Sequence, residues 1–337
     1  MRWPWSGSSY FAQSWGSKKE FHGVALLREA PFYSPNSVQK FLMRRVLILC
    51  LLATTATLAH EFWLQPASFR VVAGAAVPLR LIIGENFTGK TWPRPTRRVR
   101  RFVRYGPGGA ADSTNLRPAL LADSLAPALT CATPGTHLLA LTSRLAYLEL
   151  PAAEFTAYLR EEGLGYALRQ RQAAGEATTK PGREAYQRCA KALVLATSGP
   201  RLPGAAADTA FRRVLGLPLE LVPEQNPYRL RPGAALTLRV LRHGQPVPGA
   251  QVQVWQVSAP DSKPTARPAV THFATFSNAQ GRVLLRLAGA GPYLLAIVRM
   301  ENALPALTLP GSTARPDWLS TWATLTFGGP AESTNGH

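Results

Sequence analysis

The chain has 337 residues, 46% apolar and 17% charged, with a formal charge of +19. That length suffices for two ordinary domains with filled cores, and the low charge content excludes wholesale disorder and long coiled coils. Three cysteines exclude a disulfide-dense scaffold, and no apolar run reaches ~20 residues outside an export signal, which excludes a multi-spanning helical membrane protein.

In chain order, the first readable segment begins at Met43. Met43-Arg44-Arg45 is basic, Val46 to Leu58 is apolar, and Thr57-Leu58-Ala59 supplies small residues before His60. This is the layout of a secretory signal peptide over 43–59, with cleavage expected after Ala59. Residues 1–42 lack a pattern and read as a spurious or disordered leader, with translation starting at Met43. Export to the periplasm or beyond makes nucleic acid an improbable partner despite the basic charge, and cleavage leaves no membrane anchor. In an oxidising compartment Cys131 and Cys189 either pair or remain as buried thiols.

From 60 to 150 the text is strand-like. Phe69–Val72, Val77–Ile83, Arg98–Tyr105, His137–Leu141 and Tyr147–Leu150 are separated by Gly and Pro turns. The period then lengthens. Pro151 opens a helix carrying Phe155, Tyr158 and Leu159, and Gly163 stops it. A second helix is expected over Tyr166–Ala174. A third is expected over Arg183–Leu195, where Tyr186, Cys189, Ala190 and Leu193 share helical spacing. Residues 60–215 therefore predict a β-sandwich with a helical insert at about 151–196.

After the Pro/Gly-rich loop at 198–208, Leu217–Val222, Leu236–Leu241, Val252–Val257, Phe273–Phe276, Arg282–Leu287 and Tyr293–Met300 alternate as strands. Asn278-Ala279-Gln280-Gly281 is a hairpin turn. Residues 216–330 predict a second, immunoglobulin- or transthyretin-like sandwich. Trp322–Phe327 is a closing strand able to join either module, and 331–337 is a disordered tail. The fold class is thus mainly β, with two antiparallel sandwich modules.

Several phrases carry a resemblance: His60-Glu61-Phe62-Trp63-Leu64-Gln65-Pro66, Gly84-Glu85-Asn86-Phe87-Thr88-Gly89, Tyr158 to Leu164, Tyr186 to Leu193, Asn226-Pro227-Tyr228, and Asp317 to Phe327. Together they resemble the NikM-like family of exported bacterial proteins, the periplasmic component associated with nickel/cobalt uptake. The resemblance spans nearly all of 60–337. It implies an exported β-rich protein, a divalent transition metal (nickel or cobalt) as ligand, and a metal-uptake transporter or envelope component as partner. Two positions depart from it: Arg299 stands where a His would precede Met300, and Leu319 stands where an acid would follow Trp318.

Read from the residues, His60 is the sharpest metal candidate. Cleavage before it would place a free α-amine beside its imidazole, a chelating pair suited to nickel, cobalt, copper or zinc, with Glu61 adding a carboxylate. The bland alternative is a polar residue at the cleavage boundary followed by an edge strand. His137 and His272 begin strands, His243 precedes a turn and His337 ends the chain; none lies at a close ligand spacing. Glu161-Glu162 and Glu149/Glu154 read as a solvated surface. Gly106-x-Gly108 leads into no helix and reads as a hairpin turn. No Gly-x-Ser-x-Gly, His-Glu-x-x-His or Cys-x-x-Cys motif occurs, so a non-enzymatic protein is expected. Finally, Arg97, Arg98, Arg100, Arg101 and Arg104 form the densest basic cluster. Its readings are contact with a polyanion such as lipopolysaccharide, or a charged strand edge that resists aggregation. A structural or adhesive envelope module binding polyanion, polysaccharide or a protein partner is the alternative function.

Overall fold

The computed structural model describes residues 61–93, 95–109, 111–199, 204, 208–258, 269–309 and 315–331. The segments read as leader and signal peptide, and His60 with them, lie outside the described residues, as does the tail from 332.

The architecture is mainly β and takes the form of two sandwiches built on one continuous central sheet. That sheet has ten strands. Its main path runs β15 (Val270–Phe276), β14 (Gln251–Val257), β17 (Tyr293–Asn302), β18 (Trp318–Phe327), β10 (Gly182–Thr197), β8 (Gly135–Ser143), β5 (Val99–Tyr105) and β6 (Ser113–Asn115). Both β2 (Arg70–Val72) and β9 (Ala146–Leu150) also pair with β10. One face is covered by β11 (Glu220–Pro223), β12 (Ala235–Arg242), β13 (Gln245–Pro246) and β16 (Arg282–Arg286). The other face carries a small sheet of β1 (Glu61–Pro66), β3 (Ala76–Glu85), β4 (Thr88–Thr91) and β7 (Ala128–Thr130). Among the described residues the α-helices are α1 (Pro95–Arg98), α2 (Arg117–Ala122) and the longer α3 (Ala152–Glu161) and α4 (Gly165–Ala173), with single 3-10 turns at Ala210–Arg212 and Pro227–Arg229. Among the described residues no helix is long and apolar enough to cross a membrane.

Strand alternation divides the interior. Cys189, Leu193 and Leu195 of β10 join Leu295, Ile297, Leu325, Leu221, Leu238 and Val254 in one core. Ala190, Ala192 and Val194 of the same strand join Phe62, Leu64, Leu79, Leu81 and Phe102 in the opposite one. Each half of the sequence therefore supplies one outer sheet, and both supply the shared middle. The closing strand joins both halves: β18 pairs antiparallel with β17 and parallel with β10, from Glu184↔Trp318 to Ala192↔Thr326. The sheets are otherwise mostly antiparallel, and this seam is parallel because its two strands are separated by the whole second outer sheet.

One expected element is wrong. Helices form at Ala152–Glu161 and Gly165–Ala173, so the insert ends near 173, but Arg183–Leu195 lies within strand β10. Its run from Cys189 to Ala196 is buried on both faces, so the period-2 signal of a half-exposed strand is absent. Alanines at 185, 190, 192 and 196 then mimic a helical composition. Cys131 and Cys189 are both buried free thiols in different cores, and burial pushes each up to about 12.

The edge of the small sheet is shielded rather than left open. Thr324 and Thr326 hydroxyls on β18 donate to the Phe62 and Leu64 carbonyls of β1, each at 2.7 Å. This sets β1 edge-on against the central sheet. Phe62 and Leu64 then enter one core, whereas Glu61 and Trp63 face β14, β17 and helix α3.

Candidate functional site

The register of β1 places Glu61 opposite Gly84 and above Trp322 of β18. Helix α3 arrives from the other side. Its stop at Gly163, which adopts φ 66°, leaves Glu162 as the capping residue. Glu61 and Glu162 line one small cavity with Gln251, Gln253, Val298 and Trp322. The cavity is about 20 Å³, room for a single water or ion and nothing larger.

Beneath it β10 contributes Glu184 and Arg188, both buried. Glu184 Oε1 accepts from the Ser320 hydroxyl and from Tyr158 (3.4 Å). The Arg188 guanidinium lies over the rings of Trp322 (5.4 Å) and Tyr186 (5.6 Å). Tyr158 stacks on Trp322 at 6.3 Å. Glu61 Oε2 and Glu184 Oε2 are buried without a hydrogen-bond partner.

Burial sets the protonation of this cluster. It raises Glu61 and Glu184 to about 7 and, together with like-charge repulsion from Glu61 and Glu161, Glu162 to about 8. Arg188 opposes each rise, and its own pKa is lowered by burial. Three carboxyls share one guanidinium, so full ionisation leaves two negative charges uncompensated within the group. A proton or a bound cation is what such a site takes up.

The expected site residues are placed as follows. Glu61 is in the cluster, and His60 lies outside the described residues. Among the described residues, no three His, Cys, Asp or Glu side chains form a metal-holding group. His137 is committed elsewhere: its Nδ1 faces Arg104 Nη1 at 2.8 Å and its Nε2 faces the Thr133 carbonyl at 2.7 Å. His272 stacks on Trp255 at 4.8 Å and bonds Gln253 at 2.9 Å, while His243 is exposed in a turn at φ 48°. By strand parity Arg299 and Leu319 face away from the cluster, so the two departures from the resemblance leave its composition unchanged.

The arginine cluster splits. Arg104 is buried, bonded to Asp112 (3.0 Å) and Thr114 (2.7 Å), and is structural. A β-bulge between Val99 and Arg101 turns both Arg100 and Arg101 outward, with Arg97 and Arg98 exposed on α1. The alternation of a regular strand therefore fails at the bulge. Gly106 and Gly108 do sit in the β5–β6 turn, closed by Gly106 N–H donating to the Asp112 carbonyl at 2.7 Å.

Glu162 is the residue that sequence reasoning missed, having been read as part of a solvated surface. Its spacing held the signal: Phe155, Tyr158, Leu159 and Glu162 fall on one helical stripe, and the first three are buried. Glu184 and Arg188 were hidden by the helical reading of β10.

Residues 57–301 match the model of a domain of unknown function, DUF4198. The chain belongs to this family. No curated protein matches it. Among solved structures it is similar to the D0-D1 domain of intimin, at 10% identity over 79% of this chain and 97% of that one, with a TM-score of 0.17. Dimeric latent PorU from Porphyromonas gingivalis matches at 12% identity, over 78% of this chain and 20% of PorU, with a TM-score of 0.15. The three N-terminal domains of the bacteriophage RB49 outer capsid protein Hoc match at 8% identity over 78% and 98%, with a TM-score of 0.14. At these scores none bears on activity.

Proposed function

We propose that this is an exported, non-enzymatic binding protein for a divalent transition metal, nickel or cobalt as the NikM-like resemblance implies, that serves uptake of that metal. The observation that carries the reading is the unpartnered Glu61 Oε2 beside Glu162 in a cavity sized for one ion. Glu61 and Glu162 offer carboxylate oxygens, and His60, next in the chain, would add imidazole nitrogen and, after cleavage, a terminal amine. The two surplus negative charges of the cluster match one divalent cation. The NikM-like resemblance supports the same cargo and an uptake transporter as partner.

Calorimetric titration of the chain with nickel, cobalt, copper and zinc tests this. One saturable site is expected with Kd below about 100 μM, roughly −5.5 kcal/mol. Glu61→Gln and Glu162→Gln should each weaken it about tenfold or more. No saturable binding to the wild-type chain would overturn the proposal.

The outward turn of Arg100 and Arg101 at the bulge favours a second reading, an envelope module that contacts polyanions. In that case heparin or lipopolysaccharide binding should fall with added salt and ignore Glu61→Gln.

A further inference from the structure

Among the described residues, the strand that ends the central sheet carries none of the usual protection. Other edges are blunted: β6 is three residues long, β4 carries Lys90, β13 is two residues including Pro246, and β16 carries Arg282 and Arg286. β15 reads Val270-Thr271-His272-Phe273-Ala274-Thr275-Phe276, seven residues with no Lys, Arg, Asp, Glu, Pro or Gly. Val270, Phe273 and Phe276 are 40%, 38% and 62% exposed. In a chain of charge +19, this neutral, β-prone edge is an exception.

Its free hydrogen-bonding groups can be assigned. Ser258 N–H donates to the Ala269 carbonyl (2.8 Å) and Ser277 N–H to the Ala250 carbonyl (2.9 Å), at the two ends of the β14–β15 ladder. Hydrogen-bonded pairs alternate in an antiparallel ladder, so Thr271, Phe273 and Thr275 bond to β14. Val270, His272, Ala274 and Phe276 turn their N–H and C=O groups outward.

We infer that β15 pairs antiparallel with β15 of a second copy about a twofold axis at Phe273, making one sheet continuous through a homodimer. The occupant follows from the strand's near-palindrome. Centred on Phe273, the register sets Phe273 against its own counterpart, Thr271 against Thr275, Val270 against Phe276 and His272 against Ala274. Aromatic–aromatic, Thr–Thr and β-branched–aromatic pairs are the cross-strand combinations that stabilise antiparallel sheets. All four outward-facing residues then occupy hydrogen-bonded positions, and a twofold interface satisfies both edges at once.

Sedimentation equilibrium of the full chain should show a monomer–dimer equilibrium. Ala274→Pro deletes an outward N–H and no bond to β14. It should weaken the dimer about a hundredfold, tenfold for each of two symmetric bonds, with the melting temperature unchanged at dilutions where both chains are monomeric. Phe273 sits at a non-hydrogen-bonded pair, where Cα atoms approach to about 4.5 Å. Phe273→Cys should therefore cross-link to its counterpart under copper–phenanthroline and oxygen, whereas Thr271→Cys, offset from its own counterpart by four residues, should not. A wild-type chain that stays monomeric at all concentrations overturns the inference. So does a dimer that Ala274→Pro leaves intact, or one in which Thr271→Cys cross-links as readily as Phe273→Cys.

Discussion

Strand β10 buries ionic groups on both of its faces, and the two faces solve the problem differently. On one, Lys191 meets Glu220 at 3.0 Å with side chains 1% and 0% exposed. Glu220 also accepts from the N–H groups of Leu215, Gly216 and Leu217 at 3.1, 2.9 and 3.3 Å. Charges there are equal, and the surplus lone pairs are used. On the other face Glu184, Glu162 and Glu61 share Arg188, and two carboxylate oxygens lack partners. A buried pair that closes on itself holds two layers in register; a buried cluster with excess charge remains poised for a proton or an ion. The first is read as architecture and the second as the candidate site.

The closed face should break hardest. Lys191→Met leaves Glu220 charged and buried without its cation, and denaturant melts should show a loss of about 3–5 kcal/mol. Adding Glu220→Gln should restore part of it, since the amide oxygen still accepts from the 215–217 loop while the stranded charge is gone.

The open face should respond in the opposite sense. Folding raises Glu184 from 4.5 to about 7, so the folded state binds the extra proton between those values. Stability therefore falls as pH rises through that window. Glu184→Gln keeps an acceptor for Ser320 and Tyr158 but cannot ionise. It should be more stable than wild type at pH 8 by about 2–3 kcal/mol, with the difference closing towards pH 4. A constant difference across pH would remove Glu184 from the cluster's charge accounting.

The smallest effect belongs to exposed charge. Arg100→Ala and Arg101→Ala on the bulge should each change stability by no more than about 0.5 kcal/mol, measured by thermal melts. Loss of polyanion binding in the same variants would separate a surface role from a structural one.

Much of the β architecture was legible because exposed-edge and half-buried strands keep a period of two. Phe69–Val72, Val77–Ile83, Leu236–Leu241 and Val252–Val257 were read as strands, and strands form at Arg70–Val72, Ala76–Glu85, Ala235–Arg242 and Gln251–Val257 with largely alternating burial. β10 was not legible, because it is covered on both sides and has no polar face to mark it, and its alanines at 185, 190, 192 and 196 give it the composition of a helix; β8, equally buried, lacks that run of alanines and was read as a strand. The bulge at Arg100 was equally silent, since an added residue changes geometry without changing composition. Of the site, Glu61 was visible as a carboxylate beside His60, whereas Glu162 was set aside as surface although it continues the buried stripe of α3. Glu184 and Arg188 could be recognised only once β10 was known to be a strand lying under α3.

Local pattern was enough to establish a β-rich chain, the two helices that follow Pro151 and a strand at Phe273–Phe276, which the structure extends back to Val270. These follow from side-chain periodicity and turn residues, which act over a few neighbours. Partnership across long separations was settled only in three dimensions. It is there that β18 reaches back to join β10, that Thr324 and Thr326 hold β1 on edge, and that carboxylates from residues 61, 162 and 184 are gathered around one arginine. Burial and electrostatic coupling depend on distance through space, and no spacing along the chain encodes that distance.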